Sequence, residues 1–126
     1  MAVTEVIPYL YYEGADAALD WMENVLGFGP STRWRNADGV TEEAEIVAGR
    51  SRIAVSGNPA DPGNGGGLLV IVHVDDVDAH YASVTAATDV ELEPPVDKPY
   101  GPRTFTIVDP WGYQWNFWQG EATPPS

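Results

Sequence analysis

The chain has 126 residues, 44% of them hydrophobic, which suits one compact domain or two small fused halves. It contains no cysteine, so disulfides, thiolate metal sites and a cysteine nucleophile are excluded. A formal net charge of −13 disfavours nucleic acid as a partner and allows a neutral or cationic small molecule, although acidity can also serve solubility alone. We expect a cytoplasmic protein without a membrane segment, because neither a spanning run nor a signal-peptide pattern is present.

The first half of the chain predicts one strand, one helix and three further strands. Branched and aromatic residues dominate positions 3–12 and indicate a strand, in which Pro8 favours an edge or a bulge. Apolar residues then recur at helical spacing, and Gly27 ends the helix. The turn signals that follow divide the next stretch into short strands. The predicted helix covers residues 16–26, and the predicted strands cover residues 32–36, 41–47 and 52–56.

The second half repeats this order after a segment rich in Gly and Pro. We predict a first module at 1–57, a linker at 58–66, a second module at 67–120 and a tail at 121–126. Asp75 or Asp76 caps the second helix, whose apolar positions include Val77, Tyr81 and Val84. The predicted strands cover residues 68–74, 90–92, 103–108 and 113–118, the last two joined by a turn at Asp109-Pro110-Trp111-Gly112.

One offset of 62 positions superposes the two halves of the sequence. It carries Ala15, Leu19 and Met22 onto Val77, Tyr81 and Val84. The same shift takes Ile53-Ala54-Val55 onto Trp115-Asn116-Phe117. Two such units can place their sheets side by side with the helices on the convex face.

Three stretches carry a family resemblance: PYLYYEGADAALDWMENVLGF, LLVIVHVDDVDAHYA and YGPRTFTIVDPWGYQWNFW. They resemble the vicinal oxygen chelate superfamily, which includes glyoxalase I, extradiol dioxygenases and bleomycin-resistance proteins. The resemblance implies an α+β fold of two paired βαβββ modules, which form a curved mixed sheet with a concave ligand cavity. It also implies a homodimer with shared binding grooves. The motifs are specific for the fold and say little about activity.

The resemblance also implies where metal ligands would lie. In metal-dependent members, His or Glu residues occupy four equivalent positions, which correspond here to Ile7, Ala54, Leu69 and Asn116. None of these side chains offers an imidazole or a carboxylate. We therefore predict no metal and no cofactor, and a chain closest to the bleomycin-resistance-like branch without metal.

The sequence contains no recognisable combination of catalytic side chains, and we predict no catalytic residues. His73 lies four positions after Leu69 and so shares its side of the strand, where it either acts as a ligand or base or only forms hydrogen bonds. We expect His80, on the second helix, to be solvated. Arg103 either binds a ligand carbonyl or pairs with Asp109 or another acid.

Alternation along the strands predicts an aromatic cavity wall. If Ile7 and Asn116 face the cavity, their neighbours two positions away face it as well, whereas Trp115 and Phe117 turn toward the helices. The aromatic rings either bind a planar guest or fill the hollow as core. The predicted ligand-binding residues are Ile7, Tyr9, Tyr11, Trp34, Leu69, His73, Tyr100, Arg103, Gln114, Asn116 and Trp118.

Our leading functional hypothesis is drug resistance by sequestration: the protein binds a planar aromatic natural product or antibiotic without changing it. The alternative is a metal-dependent lyase, isomerase or dioxygenase of the same superfamily, with His73, Glu43 or Glu45 as displaced ligands. A third possibility is a structural or regulatory domain with a filled core.

Overall fold

A computed structural model describes residues 2, 5–57 and 68–123, and the chain divides into two compact units, residues 1–64 and 65–126. The first unit consists of β1 Tyr9–Tyr11, helix α1 Ala15–Trp21 with a π-helical turn at Met22–Leu26, β2 Ser31–Arg35, β3 Thr41–Ala48 and β4 Ser51–Ser56. The second consists of β5 Leu69–His73, helix α2 Val77–Ala87, β6 Val96–Asp97, β7 Arg103–Val108 and β8 Gln114–Gln119.

Both units have the same mixed-sheet topology. The strand orders are β1-β4-β3-β2 and β5-β8-β7-β6, and in each sheet the first strand runs parallel to the last. Tyr9 pairs with Ala54 in the first sheet, and Ile71 pairs with Asn116 in the second. Both residues of the second pair follow their counterparts in the first pair by the offset that the sequence predicts. The predicted α+β class and the βαβββ order of each module are therefore confirmed. The joining of two sheets around a cavity stays a prediction.

The first module packs α1 against one face of its sheet. Leu10, Ala44, Ile46 and Val55 from three strands are buried on this face. Arg33 of β2 joins them and binds acidic groups on the helix: its Nη1 lies 2.8 Å from Asp16 and its Nη2 lies 2.9 Å from Asp20. The hydrogen bond from Arg33 lowers the pKa of the Asp16 carboxyl. This ion-pair network and the apolar contacts together fix α1 on β2 and β3.

The second module packs α2 against β7 and β8. Asp76 caps the helix by accepting a hydrogen bond from the N–H of Ala79 at 3.1 Å, as one of the two predicted caps. The rings of Tyr81 and Phe105 meet edge to face at 5.4 Å. Trp115 and Phe117 are fully buried, so the prediction that they turn toward the helix is confirmed.

The turn between β7 and β8 is built on a buried carboxylate. One oxygen of Asp109 accepts from the N–H groups of Trp111 and Tyr113, and the other accepts from the indole N–H of Trp115 at 3.1 Å. Gly112 has a φ of 95°, which a residue with a side chain rarely adopts. The predicted turn is confirmed, and Asp109 couples it to the core.

Two predicted elements differ from the structure. Residues 90–92 do not form a strand, because Pro94 and Pro95 remove backbone donors, and the short strand β6 begins only after them. The first strand is confined to β1, so Ile7 precedes it. The predicted linker at 58–66 lies outside the described residues, as does the end of the tail from 124 onward.

Candidate functional site

The sheet of the second module has an open face on the side away from α2. Residues that are opposite each other in register share a face of a sheet. The side of the sheet opposite Trp115 and Phe117 therefore carries three rows of paired residues, namely Leu69 with Gln114, Ile71 with Asn116, and His73 with Trp118. Leu69 and Ile71 are both 46% exposed. The described residues thus leave this face uncovered.

Trp118 is the centre of an aromatic group on this face. Its ring lies 5.8 Å from the imidazole of His73, edge to face, and 6.0 Å from the phenol ring of Tyr100. Tyr100 remains 46% exposed, whereas Trp118 is half-buried. The three rings therefore form an aromatic surface that can accept a further ring in an offset or edge-on contact.

Asn116 is held rigidly beside Trp118. Its side-chain carbonyl accepts a hydrogen bond from the indole N–H of Trp118. Its amide nitrogen donates to Oγ1 of Thr106 at 2.7 Å and to the carbonyl of Phe105 at 3.3 Å. Both ends of the amide are thus engaged, and they orient the indole ring.

The sheet of the first module presents a second open face on the side away from α1. Tyr9, Tyr11 and Trp34 lie there with Glu43 and Glu45, as the register of the four strands shows. The rings of Tyr9 and Tyr11 meet edge to face at 5.0 Å. The Tyr9 hydroxyl donates to Glu43, and this bond raises the pKa of the phenol. The face therefore combines exposed aromatic rings with carboxylates.

Of the remaining predicted site residues, Ile7 lies outside the strands and Arg103 lies on the side of its sheet that faces α2. Ile7 precedes β1 and is half-buried. Arg103 directs its guanidinium toward α2, where it makes hydrogen bonds of 3.0 Å to both oxygens of Asp78, and its Nη1 lies 3.3 Å from Asp97. The bond from Arg103 lowers the pKa of Asp78. Arg103 thus pairs with acids other than Asp109 and joins β7 to the helix.

His80 is a correction to the expectation of a solvated side chain. Its ring lies 4.4 Å from that of Phe117 and 6.1 Å from that of Phe105, between α2 and the sheet. Its Nε2 is buried and has no hydrogen-bond partner among the described residues. Burial lowers the pKa of the imidazole, because the charged form loses its hydration. His80 is therefore half-buried against the core of the second module.

This burial predicts a loss of stability in mild acid. Because the folded pKa lies below the ordinary value of 6.5, the unfolded chain binds the proton first. The free energy of unfolding should therefore fall as the pH drops below about 6.5 and level off below the folded pKa. Urea unfolding between pH 7.5 and 5 measures this step.

Matched variants isolate the contribution of His80. His80→Phe, which keeps a ring on Phe117, should flatten the step. His73→Gln removes the other histidine, which is exposed, and so measures the step with His80 as the single histidine. An unchanged step in His80→Phe would contradict the assignment.

The positions that correspond to metal ligands in the family do not fit a metal. Ala54 and Asn116 occupy equivalent places in the two sheets, and neither offers the nitrogen or carboxylate donor that such a site uses. Both ends of the Asn116 amide are already hydrogen-bonded. Within residues 5–57 and 68–123, no group of three His, Asp or Glu side chains is arranged to hold a metal ion.

A groove that the sequence did not predict follows the outer edge of β7. Its volume is about 390 Å³. It is lined by residues 90–94, Val96 and Lys98 on one side and by residues 104–106 and Val108 on the other. The sequence does contain one indication of this groove. Pro94 and Pro95 precede β6 and shorten the strand that would otherwise cover this edge of β7.

Comparisons with known proteins agree with this architecture. TioX from Micromonospora sp. ML1 is 31% identical, with a TM-score of 0.75 over 94% of this chain and 100% of its own. The bleomycin-binding protein, solved in complex with bleomycin, is 19% identical, with a TM-score of 0.70 over 94% and 100% of the two chains. TnmS3, an antibiotic binding protein from Streptomyces sp. CB03234, is 19% identical, with a TM-score of 0.70 over 96% and 99%.

A comparison with protein-family models identifies the family of the chain. No match is found among curated protein sequences. None of the described helices has the length and apolar character needed to cross a membrane. Residues 5–117 match the Glyoxalase/Bleomycin resistance protein/Dioxygenase superfamily. Because this match spans most of the sequence, the chain belongs to that superfamily.

Proposed function

We propose that this protein binds and sequesters a planar aromatic natural product or antibiotic without changing it chemically. The observation that carries the proposal is the open face of the second module, where Trp118 lies between His73 and Tyr100 beside exposed Leu69 and Ile71. Apolar surfaces with a few fixed polar groups are typical of small-molecule sites. Gln114 is exposed and supplies an amide group to orient a guest, while Asn116 orients the indole of Trp118.

The charge of the protein agrees with such a guest. The chain carries nineteen acidic residues against six basic ones, so its field attracts cations and repels anions. Glu43 and Glu45 lie beside the exposed rings of the first module. A planar guest that is neutral or cationic is therefore favoured over an anionic one.

The family relation supports the binding role. Two relatives of the same fold are named for binding bleomycin or an antibiotic. The four positions at which the family binds metal offer no imidazole or carboxylate here, which favours binding over metal-dependent chemistry. Stoichiometric zinc, nickel, manganese or iron in protein purified without chelator would overturn this part of the proposal.

The proposal includes a homodimer with binding grooves shared between the two copies. Each sheet leaves aromatic or aliphatic side chains exposed on the face away from its helix, and such surfaces commonly mark binding or assembly. Analytical ultracentrifugation should show a dimer at micromolar concentration. A strict monomer at all concentrations would contradict the shared grooves.

A fluorescence titration with planar antibiotics of several classes tests the binding role. Trp118 and Trp34 both retain exposed area, so a stacked guest should quench their emission in a saturable manner. An anionic planar compound of similar size serves as the control and should bind more weakly. The absence of a saturable change with every compound would favour a structural or regulatory domain.

A further inference from the structure

The two modules differ at the strand that covers the hairpin edge. In the first module, β2 has five residues and pairs with β3 from Thr41 to Ile46. In the second, β6 has two residues and pairs only with Arg103 and Thr104 of β7. The remainder of β7, from Phe105 to Val108, therefore has no strand on its outer side among the described residues.

The backbone of β7 exposes hydrogen-bonding groups along this edge. In an antiparallel ladder, every second residue of a strand directs its N–H and C=O toward the same neighbouring strand. The N–H of Asp109 donates to the carbonyl of Tyr113 at 2.8 Å, so the odd-numbered residues face β8. The N–H of Lys98 donates to the carbonyl of Pro102 at 2.8 Å, so the even-numbered residues face the other side of β7, where β6 lies. The N–H and C=O groups of Thr106 and Val108 therefore point outward.

The groove of about 390 Å³ runs along these outward groups. Its far wall is the segment 90–94, which contributes apolar Val90 and Leu92 and acidic Glu91 and Glu93. Its volume lies within the range of small-ligand pockets, which is roughly 300–1,000 Å³. The groove thus has the backbone donors and acceptors of a strand edge, walls of mixed apolar and polar character, and two carboxylates on its far wall.

We propose that this groove binds an extended peptide-type chain of a small ligand, which adds to the sheet as a further strand at Thr106 and Val108. Strand addition supplies main-chain hydrogen bonds in both directions, and side pockets then select the side chains. Glu91 and Glu93 favour a basic group on the guest. The inference goes beyond the proposed function and stands without it, because it depends on the edge of β7 and not on Trp118.

The groove adjoins the aromatic face of the same module. Thr106 belongs to its lining, and Oγ1 of Thr106 accepts the hydrogen bond from Asn116. One guest that joins a planar ring to a short basic peptide chain could therefore use both surfaces. A peptide without any ring tests the groove alone.

The test uses the capped peptide acetyl-Val-Lys-Val-Lys-amide and ¹⁵N-labelled full-length protein. We expect saturable chemical-shift changes at the amides of Thr106 and Val108, together with slower hydrogen exchange there. The same peptide with N-methylated amides keeps the charge and loses donors, so it should bind about tenfold more weakly. Equal binding of both peptides, or no change at these two amides, would overturn the proposal.

Variants of the protein provide the second arm. Val108→Pro removes the outward N–H without touching the bonds to β8 and should weaken the peptide about tenfold. Val108→Ala keeps the N–H and loses only part of the apolar lining, so it should weaken the peptide less than Val108→Pro does. Glu91→Gln with Glu93→Gln should weaken the basic peptide and spare a version with Gln in place of Lys. Full peptide affinity in Val108→Pro would overturn the proposal. The proposal would also be overturned if the amides of Thr106 and Val108 were already protected from hydrogen exchange in the free protein. Another part of the chain or a second copy would then occupy the edge.

Discussion

Replacing Trp115 by alanine is expected to destabilise the protein by about 3–5 kcal/mol. Trp115 lies on β8 opposite Ile107 of β7 and is fully buried, so its removal leaves a large cavity in the second module. The change also takes away the N–H that donates to Asp109 at 3.1 Å, which leaves a buried carboxylate oxygen without this donor. Urea unfolding followed by circular dichroism measures the free energy of unfolding.

Trp118 provides the matched control, because it lies on the same strand and on the opposite face. Trp118→Ala should cost about 1 kcal/mol or less, since this half-buried ring lies outside the buried core. If Trp115→Ala fails to fold, Trp115→Phe gives the same ranking with a smaller loss. Equal losses at the two positions would contradict the assignment of faces.

The second large effect concerns affinity rather than stability. Once a planar antibiotic has been found that binds, Trp118→Ala should weaken it by about 2–4 kcal/mol, roughly thirtyfold to several hundredfold. The reason is that the alanine removes the ring that contacts both His73 and Tyr100 and would stack with the guest. Isothermal titration calorimetry gives the dissociation constant of each variant.

Trp118→Phe separates the aromatic surface from the indole hydrogen bond. It keeps a flat ring but cannot donate to Asn116, so part of the affinity should remain. The ranking parent, then Trp118→Phe, then Trp118→Ala is expected. An affinity for Trp118→Ala within twofold of the parent would remove Trp118 from the site.

Alternation and the internal repeat predicted much of the second module. They assigned Trp115 and Phe117 to the core and Asn116 to the opposite face, because a strand has a fixed period of two. The same offset gave the register of Ala54 and Asn116, which depends only on spacing along the chain. These features are local or repeated, and so a single sequence contains them.

The missed features depend on contacts between distant residues or on residue type. Arg103 binds Asp78, 25 positions earlier, and no local pattern selects this acid from the others. His80 lies three positions after Val77 and so on the same helical face, but its polar character concealed the burial. The groove beside β7 depends on how much of that edge β6 covers, for which the two prolines before β6 are a local signal but not a measure.

Recovery of the bound ligand tests the central claim most directly. The protein would be incubated with the planar antibiotic that binds most tightly, separated from free compound by size exclusion, and denatured, and the released ligand would be analysed by mass spectrometry. Sequestration predicts stoichiometric ligand of unchanged mass and structure, even after long incubation. Ligand of altered mass, formed in more than one equivalent per protein, would show turnover and contradict a purely binding role.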